Sequence, residues 1–256
     1  MALPQLIHLG YSPWSEKARW ALDLRQIRYT SREYLPMLGE PLLRYWSGRW
    51  TGKVTVPMLL HGRKVISDSF AIAQFAEQFG LGAPLFAGGA EDPQMASWNA
   101  RSEAVLSAGR TLVLQRILNS PAALRENTPK WLRLPGLLGT LLAAIATRFL
   151  ARKYKTSLFD SAAIDGILRD ILKQLRAALA DERACIFLHF SYADMAMAVA
   201  LQVISPQPGK WMRLGPASRV CWTHPELANE FSDLLAWRDN LYAKHRQLAS
   251  TVPTET

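Results

Sequence analysis

The sequence predicts an α/β amino-terminal domain followed by an all-α carboxy-terminal domain, and three observations support this. Strand and helix signals alternate over residues 1–80, a Gly, Ala and Pro-rich stretch LGAPLFAGGAEDP (81–93) interrupts both periodicities, and beyond it the apolar spacing is helical almost throughout. With 256 residues, 49% of them hydrophobic, the chain is long and apolar enough to bury a sizeable core.

The elements follow in order. QLIHLG (5–10) is short and apolar enough for a buried strand, and SEKARWALDLRQI (15–27) spaces Ala18, Ala21, Leu22 and Ile27 along one helical face. IRYTSREYL (27–35) has strand character, EPLLRYWS (40–47) that of a short helix, and VPMLLHGRKVIS (56–67) that of a hairpin turning at His61 and Gly62. SFAIAQFAEQFG (69–80) is an amphipathic helix with a glycine stop. The order βαβαββα, with a parallel βαβ start and a closing hairpin and helix, matches a thioredoxin-like layout of helices over a small mixed sheet. The domains expected are 1–82, a linker over 83–92, an all-α domain over 93–250 and a tail over 251–256. Helices are expected there at about 93–119, 162–179, after Ser191, and once or twice between Glu226 and Arg246.

Composition narrows the function. Cys185 and Cys221 lack CxxC spacing, which argues against a zinc site or a disulfide scaffold and suits a reducing compartment. The net charge of +9 favours anionic partners in general, but no nucleic-acid-binding motif accompanies it. No basic-then-apolar leader is visible, and the longest uncharged apolar run, 134–147, falls short of the roughly 20 residues that cross a bilayer, so a soluble chain is expected.

Two further stretches stand out. FSYADM (190–195) reads as a capping box, with the Ser191 hydroxyl toward the Asp194 amide, Asp194 reaching back to the Ser191 amide, and Phe190 stapled onto Met195; its role is structural. The segment 129–155 has an apolar centre flanked by Lys130, Arg133, Arg148, Arg152, Lys153 and Lys155. It reads either as a buried helix with solvated ends or as a helix that contacts a protein partner or a membrane surface.

YSPWSEKARWAL (11–22), the VP of TVPML (55–59), the DS of SDSFAIAQF (67–75) and SYAD (191–194) together resemble the cytosolic glutathione transferase superfamily, the SPWS stretch being similar to the tau and omega classes. The resemblance covers nearly the whole chain apart from 120–160. It implies glutathione as co-substrate, no metal, a hydrophobic electrophile as second substrate, a detoxification role in the cytoplasm and a homodimer. Ser12 falls on the catalytic hydroxyl or thiol position, with Ser15 and Tyr11 in reserve, because a hydroxyl at a helix N-terminus can hold a glutathione thiolate. Val56 and Pro57 fall on the cis-proline position, where a strand-like glutathione pairs with backbone. Asp68 and Ser69 fall where the γ-glutamyl end docks on a helix N-terminus, and Lys53, backed by Arg44 and Trp46, would meet the glycine carboxylate.

Each assignment has a plainer alternative. Ser12, Ser15, Asp68 and Ser69 can simply cap helices, Pro57 can be a trans proline opening a strand, and Lys53 can be a solvated surface charge; Lys17 and Arg19 add positive potential on the first helix but read first as a solvated face. Trp98, Arg101 and Leu106 could line the electrophile pocket or belong to the core. An enzyme that conjugates glutathione or uses it in thiol-dependent cleavage is the first reading. A non-catalytic adaptor that binds through 129–155 is the second.

Overall fold

The structure is a computed structural model and describes residues 3–35, 39–86, 88–89, 91–127, 145, 161–180, 183–208 and 211–246. The basic apolar segment 129–155 therefore lies, but for one residue, outside the described residues, as does the expected tail.

The amino-terminal half runs β1 (Gln5–His8), α1 (Pro13–Leu24), β2 (Thr30–Glu33), α2 (Glu40–Ser47), β3 (Met58–His61), β4 (Lys64–Ser67) and α3 (Ser69–Phe79), the βαβαββα order predicted. Its sheet has the order β2-β1-β3-β4, with β1 parallel to β2 and the other pairs antiparallel. Successive residues of a strand face opposite sides, and β1 uses both. Leu6 packs with Ala18, Ile72 and Ala73 of α1 and α3, whereas Ile7 packs with Leu43 of α2, Val54 and Met58. That two-sided demand explains why the adjacent residues Leu6 and Ile7 are both apolar.

Some boundaries differ from the sequence reading. Helix α1 ends at Leu24 rather than Ile27, because Arg25 closes it and donates to the carbonyls of Gly80 at 2.7 Å and Glu77 at 3.1 Å. The hairpin turns one residue later than expected, at Gly62 and Arg63, since His61 still pairs with Lys64; Gly62 takes the left-handed φ of 60° that this turn needs. Strand β2 is shorter than 27–35.

The remaining described elements are helical: α4 (Pro93–Leu118), α5 (Pro121–Asn127), α6 (Ser161–Ala178), α7 (Tyr192–Ala200), a 3-10 turn (Leu201–Val203), α8 (Pro216–Trp222), α9 (Pro225–Glu230) and α10 (Ser232–His245). Helices α5 and α8 were not anticipated; each is only two turns long, too short for a periodic pattern to show. No helix among the described residues is long and apolar enough to cross a membrane.

Helix α7 is buried along its whole length and opens with the predicted capping box. Asp194 Oδ2 accepts from the Ser191 amide at 2.9 Å and the Ser191 hydroxyl at 2.8 Å, while Oδ1 accepts from the Ile186 amide at 2.7 Å. Burial pushes the Asp194 carboxyl up to about 6, against the pull of those donors. Phe190, expected on Met195, stacks on His245 with ring centroids 4.0 Å apart.

One apolar cluster runs through α1, α3, α4, α6, α7 and α10, so the two halves share a core. Trp20 of α1 is fully buried and donates to the His245 carbonyl at 3.1 Å, with Tyr242 4.4 Å from its ring. Helix α4 approaches the 3-10 turn closely at Gly109, where an added Cβ would lie 2.3 Å from Val203 Cγ2. Gly109→Ala should therefore destabilise the fold by about 1–3 kcal/mol, as overpacking does, and urea denaturation would show the midpoint falling with an unchanged slope.

Candidate functional site

The sheet register sets the site. Ile7 pairs with Met58, and Met58 pairs with Ser67, so three strands come level at one end of the sheet. The residues that follow or precede them, the 9–12 turn, Val56-Pro57 and Asp68-Ser69, emerge together there. Ser12, Val56, Pro57, Asp68 and Ser69, all singled out in the sequence, are thus gathered by strand pairing alone.

Ser12 is the N-cap of α1, with Pro13 at the first helical position. Its hydroxyl accepts from the Ser15 amide at 3.4 Å, a long bond that uses little of the oxygen's capacity and leaves the O–H proton to another acceptor. Ser15 differs: it is fully buried, and its hydroxyl accepts from the Leu9 amide at 3.1 Å, fastening the helix to the end of β1. Tyr11 is half-buried against the main core.

The Val56-Pro57 peptide is cis, so the trans alternative does not hold. Asp68 caps α3 by accepting from the Phe70 amide at 2.6 Å and adopts φ 86°, ψ 135°, a conformation that costs a non-glycine residue roughly 1–3 kcal/mol. Such strain persists only where surrounding structure enforces it. Ser69, the first residue of α3, is 1% exposed, and its hydroxyl has no hydrogen-bond partner among the described residues. A buried polar atom left in this way costs about 1–3 kcal/mol, so a cap role alone does not explain Ser69.

Lys53 is exposed. Arg44 is occupied, pairing with Glu40 at 2.7 Å and donating to the carbonyls of Trp50 and Gly52 at 3.1 Å each, so it shapes the loop rather than facing a ligand. Trp46 lies under the Arg32 guanidinium at 5.0 Å. Of the pocket candidates, Leu106 is fully buried core, whereas Trp98 and Arg101 are partly exposed and stack on each other at 4.8 Å.

Lys17 and Arg19 are not a solvated face. The Lys17 side chain is fully buried, forming an ion pair with Glu103 and a 3.1 Å bond to the Ser102 hydroxyl. Glu103 also accepts from Trp14 Nε1 at 2.6 Å, and Arg110 covers the Trp14 ring at 4.8 Å. Arg19 pairs with Glu16 at 2.8 Å and donates to His8 Nδ1 at 3.0 Å. The first turns of α1 are therefore seated on α4 and on the end of β1. Sequence reasoning missed the seat of Lys17 because nothing local marks Glu103 as the mate of a residue more than 80 positions away.

A cavity of about 460 Å³ lies elsewhere, between α4, α6 and α9, with His224 and Asp165 in its wall. That pair is not a catalytic dyad. His224 Nδ1 accepts from the Leu227 amide and Nε2 meets Asp165 at 3.0 Å, so both ring nitrogens are engaged. No group of three or more His, Cys, Asp or Glu suited to a metal ion occurs among the described residues.

This arrangement, a cis-proline, a hydroxyl at the start of the first helix and a buried serine opening the third, on a thioredoxin-like sheet joined to a helical half, is that of the glutathione transferase fold. Residues 11–78 match the family model described as glutathione S-transferase, N-terminal domain. Among solved structures, the chain is similar to a glutathione S-transferase of Ceriporiopsis subvermispora in complex with glutathione, at 16% identity and a TM-score of 0.63 over 99% of this chain and 100% of that one. It is also similar to a glutathione S-transferase of Methylobacterium radiotolerans in complex with glutathione sulfonate, at 16% identity and a TM-score of 0.57 over 100% and 98%. The beta-etherase LigF of Sphingobium sp. strain SYK-6 shares the fold at 15% identity, with a TM-score of 0.59 over 95% and 96%. No curated protein sequence matches the chain.

His8, at the end of β1, gives the site a measurable pH signature. Burial, reinforced by the Arg19 charge, lowers its pKa from 6.5 to about 4. Between those values the unfolded chain binds a proton that the folded one does not, so the contribution of His8 to stability is complete above pH 6.5 and is lost as pH falls toward 4. Urea denaturation of wild type and His8→Asn across that window should show their stability difference shrinking by about 3 kcal/mol as pH falls.

Proposed function

We propose that the chain is a glutathione-dependent enzyme that activates the glutathione thiol for attack on a hydrophobic electrophile, by conjugation or by thiol-dependent cleavage. The observation that carries this reading is the Ser69 hydroxyl, buried at the N-terminus of α3 with no hydrogen-bond partner among the described residues. A carboxylate there would accept from that hydroxyl and from the free amides of the first turn, in the favourable end of the helix dipole. The γ-glutamyl carboxylate of glutathione supplies such a group, and its ammonium would face Asp68. The backbone of Val56, ahead of the cis Pro57, would pair with the cysteinyl backbone as an added strand, and Lys53 would meet the glycine carboxylate.

The sulfur then falls to Ser12. A thiol with a pKa above neutrality is a weak nucleophile, and a hydroxyl donating to sulfur beside a helix N-terminus favours the thiolate. Ser12 has its proton available for this, whereas the Ser15 oxygen is bound to the Leu9 amide and is the poorer candidate. No cysteine stands at either position, so a mixed disulfide on the protein is not part of the mechanism. In the same reading, residues 1–82 form the glutathione-binding domain, 83–92 the linker and 93–250 the helical domain, and the protein works as a cytoplasmic homodimer.

Two variants separate binding from activation. Ser69→Ala should leave stability unchanged or slightly raised, because it removes a buried unsatisfied hydroxyl, yet weaken glutathione binding by about tenfold in calorimetry. Ser12→Ala should keep glutathione binding on an affinity matrix and lower kcat for conjugation of an apolar electrophile by about a hundredfold. A wild-type protein that does not bind glutathione would refute the reading.

A further inference from the structure

The turn that carries Ser12 is gripped from the helical half at two places. The Arg213 amide donates to the Gly10 carbonyl at 3.1 Å, where an added Cβ on Gly10 would come within 2.9 Å of Glu33 and 3.2 Å of the Arg213 side chain. Further along, Arg246, just past the end of α10, places its guanidinium against α1: Nε bonds Glu16 Oε1 at 2.7 Å and Nη1 bonds Asp23 Oδ2 at 2.6 Å. The side chains of Arg246 and Glu16 are 1% and 0% exposed, and the guanidinium lies 4.2 Å over the ring of Trp211. Arg19, the second partner of Glu16, donates to the Trp211 carbonyl at 3.0 Å, which ties both grips into one cluster.

Glu16 and Asp23 stand seven residues apart, two turns along one face of α1. A planar guanidinium that bonds both fixes the rotation of the helix about its axis as well as its distance from α10. That rotation reaches the cap, because the Glu16 amide closes the first helical turn on the Ser12 carbonyl at 3.0 Å. We infer that Arg246 is a positioning residue for Ser12: by clamping Glu16 and Asp23 it sets the direction in which the Ser12 hydroxyl points. The inference rests on the reading that Ser12 activates the glutathione thiol. The glutathione contacts assigned to Val56, Asp68 and Ser69 lie just ahead of β3 and at the start of α3, outside this cluster, so loss of the clamp should act on turnover more than on binding.

The test compares wild type with Arg246→Met, Arg246→Lys and, in case Arg246→Met does not fold, the triple variant Glu16→Gln, Asp23→Asn, Arg246→Met, which removes the charges of Arg246 and of both its carboxylate partners together. Arg169→Gln, which breaks a partly exposed pair with Glu230 elsewhere, serves as control. Expected is hydrogen exchange at the Ser12 and Glu16 amides accelerated by about tenfold in Arg246→Met or the triple variant, with α3 amides unchanged. Conjugation kcat should fall by about tenfold while KM for glutathione moves by less than about threefold, with Lys recovering part of the loss and Arg169→Gln behaving as wild type. Equal acceleration in α1 and α3, or wild-type exchange and kcat in a folded variant, overturns the inference. If the wild-type protein does not bind glutathione the functional reading falls, and the exchange comparison alone then decides whether Arg246 holds the Ser12 turn.

Discussion

The buried carboxylate of Glu16 is the constraint around which the two halves of the chain are arranged. It takes Arg246 on one oxygen and Arg19 on the other, and Arg246 goes on to Asp23, whose other oxygen accepts from the Tyr29 hydroxyl at 3.1 Å. Burial works against the charge of Arg246, but Glu16 and Asp23 outweigh it and hold its pKa above the ordinary value; burial raises Asp23, against the pull of the guanidinium. A cluster of this kind adds little net stability over an apolar packing of equal volume, whereas stranding one of its members costs roughly 3–5 kcal/mol. Its physical effect is therefore on geometry. Apolar surfaces can slide past one another at small cost, but a guanidinium bonded to two carboxylates two turns apart admits one arrangement.

Helix α1 is seated a second time through Lys17 and Glu103, on the face toward α4. Because Glu103 also accepts from Trp14, one carboxylate from the helical half fixes two residues in the first turns of α1. The result is a helix whose N-terminus is tied to the sheet by Ser15, to α4 by Lys17 and Trp14, and to α10 by Glu16. Ser12 is the polar group of that turn left least engaged. A hydroxyl held in place by the bonds of its neighbours and weakly bonded itself is pre-organised for a ligand atom, without first having to break a strong internal contact. Ser69 repeats the pattern at α3, where the strained backbone of Asp68 and the cis Val56-Pro57 peptide bring backbone and hydroxyl to the same end of the sheet.

Much of this was legible in the chain. Order and type of the first seven elements follow from periodicity and turn residues, the helix over 40–47 agreed residue for residue, and the capping box at Ser191 was visible because its two partners are three residues apart. Two of the differences share one cause, a partner that is distant in sequence. Lys17 and Arg19 look solvated on a helical wheel because charge normally means water, and the end of α1 was set too late because Arg25 looks like another helical residue until it is seen holding the carbonyls that end α3.

By itself, then, the sequence determined which segments of the amino-terminal half become strands and helices, where three helices are capped, and which residue types stand at the cap positions, since capping and periodicity act over one to four residues. Only the tertiary structure decided which of two serines is spent on the scaffold, which hydroxyl is buried with no partner among the described residues, and that Arg246 closes on Glu16 from 230 positions away. Those outcomes depend on desolvation and on the meeting of distant charges. Neither exists until the chain has folded.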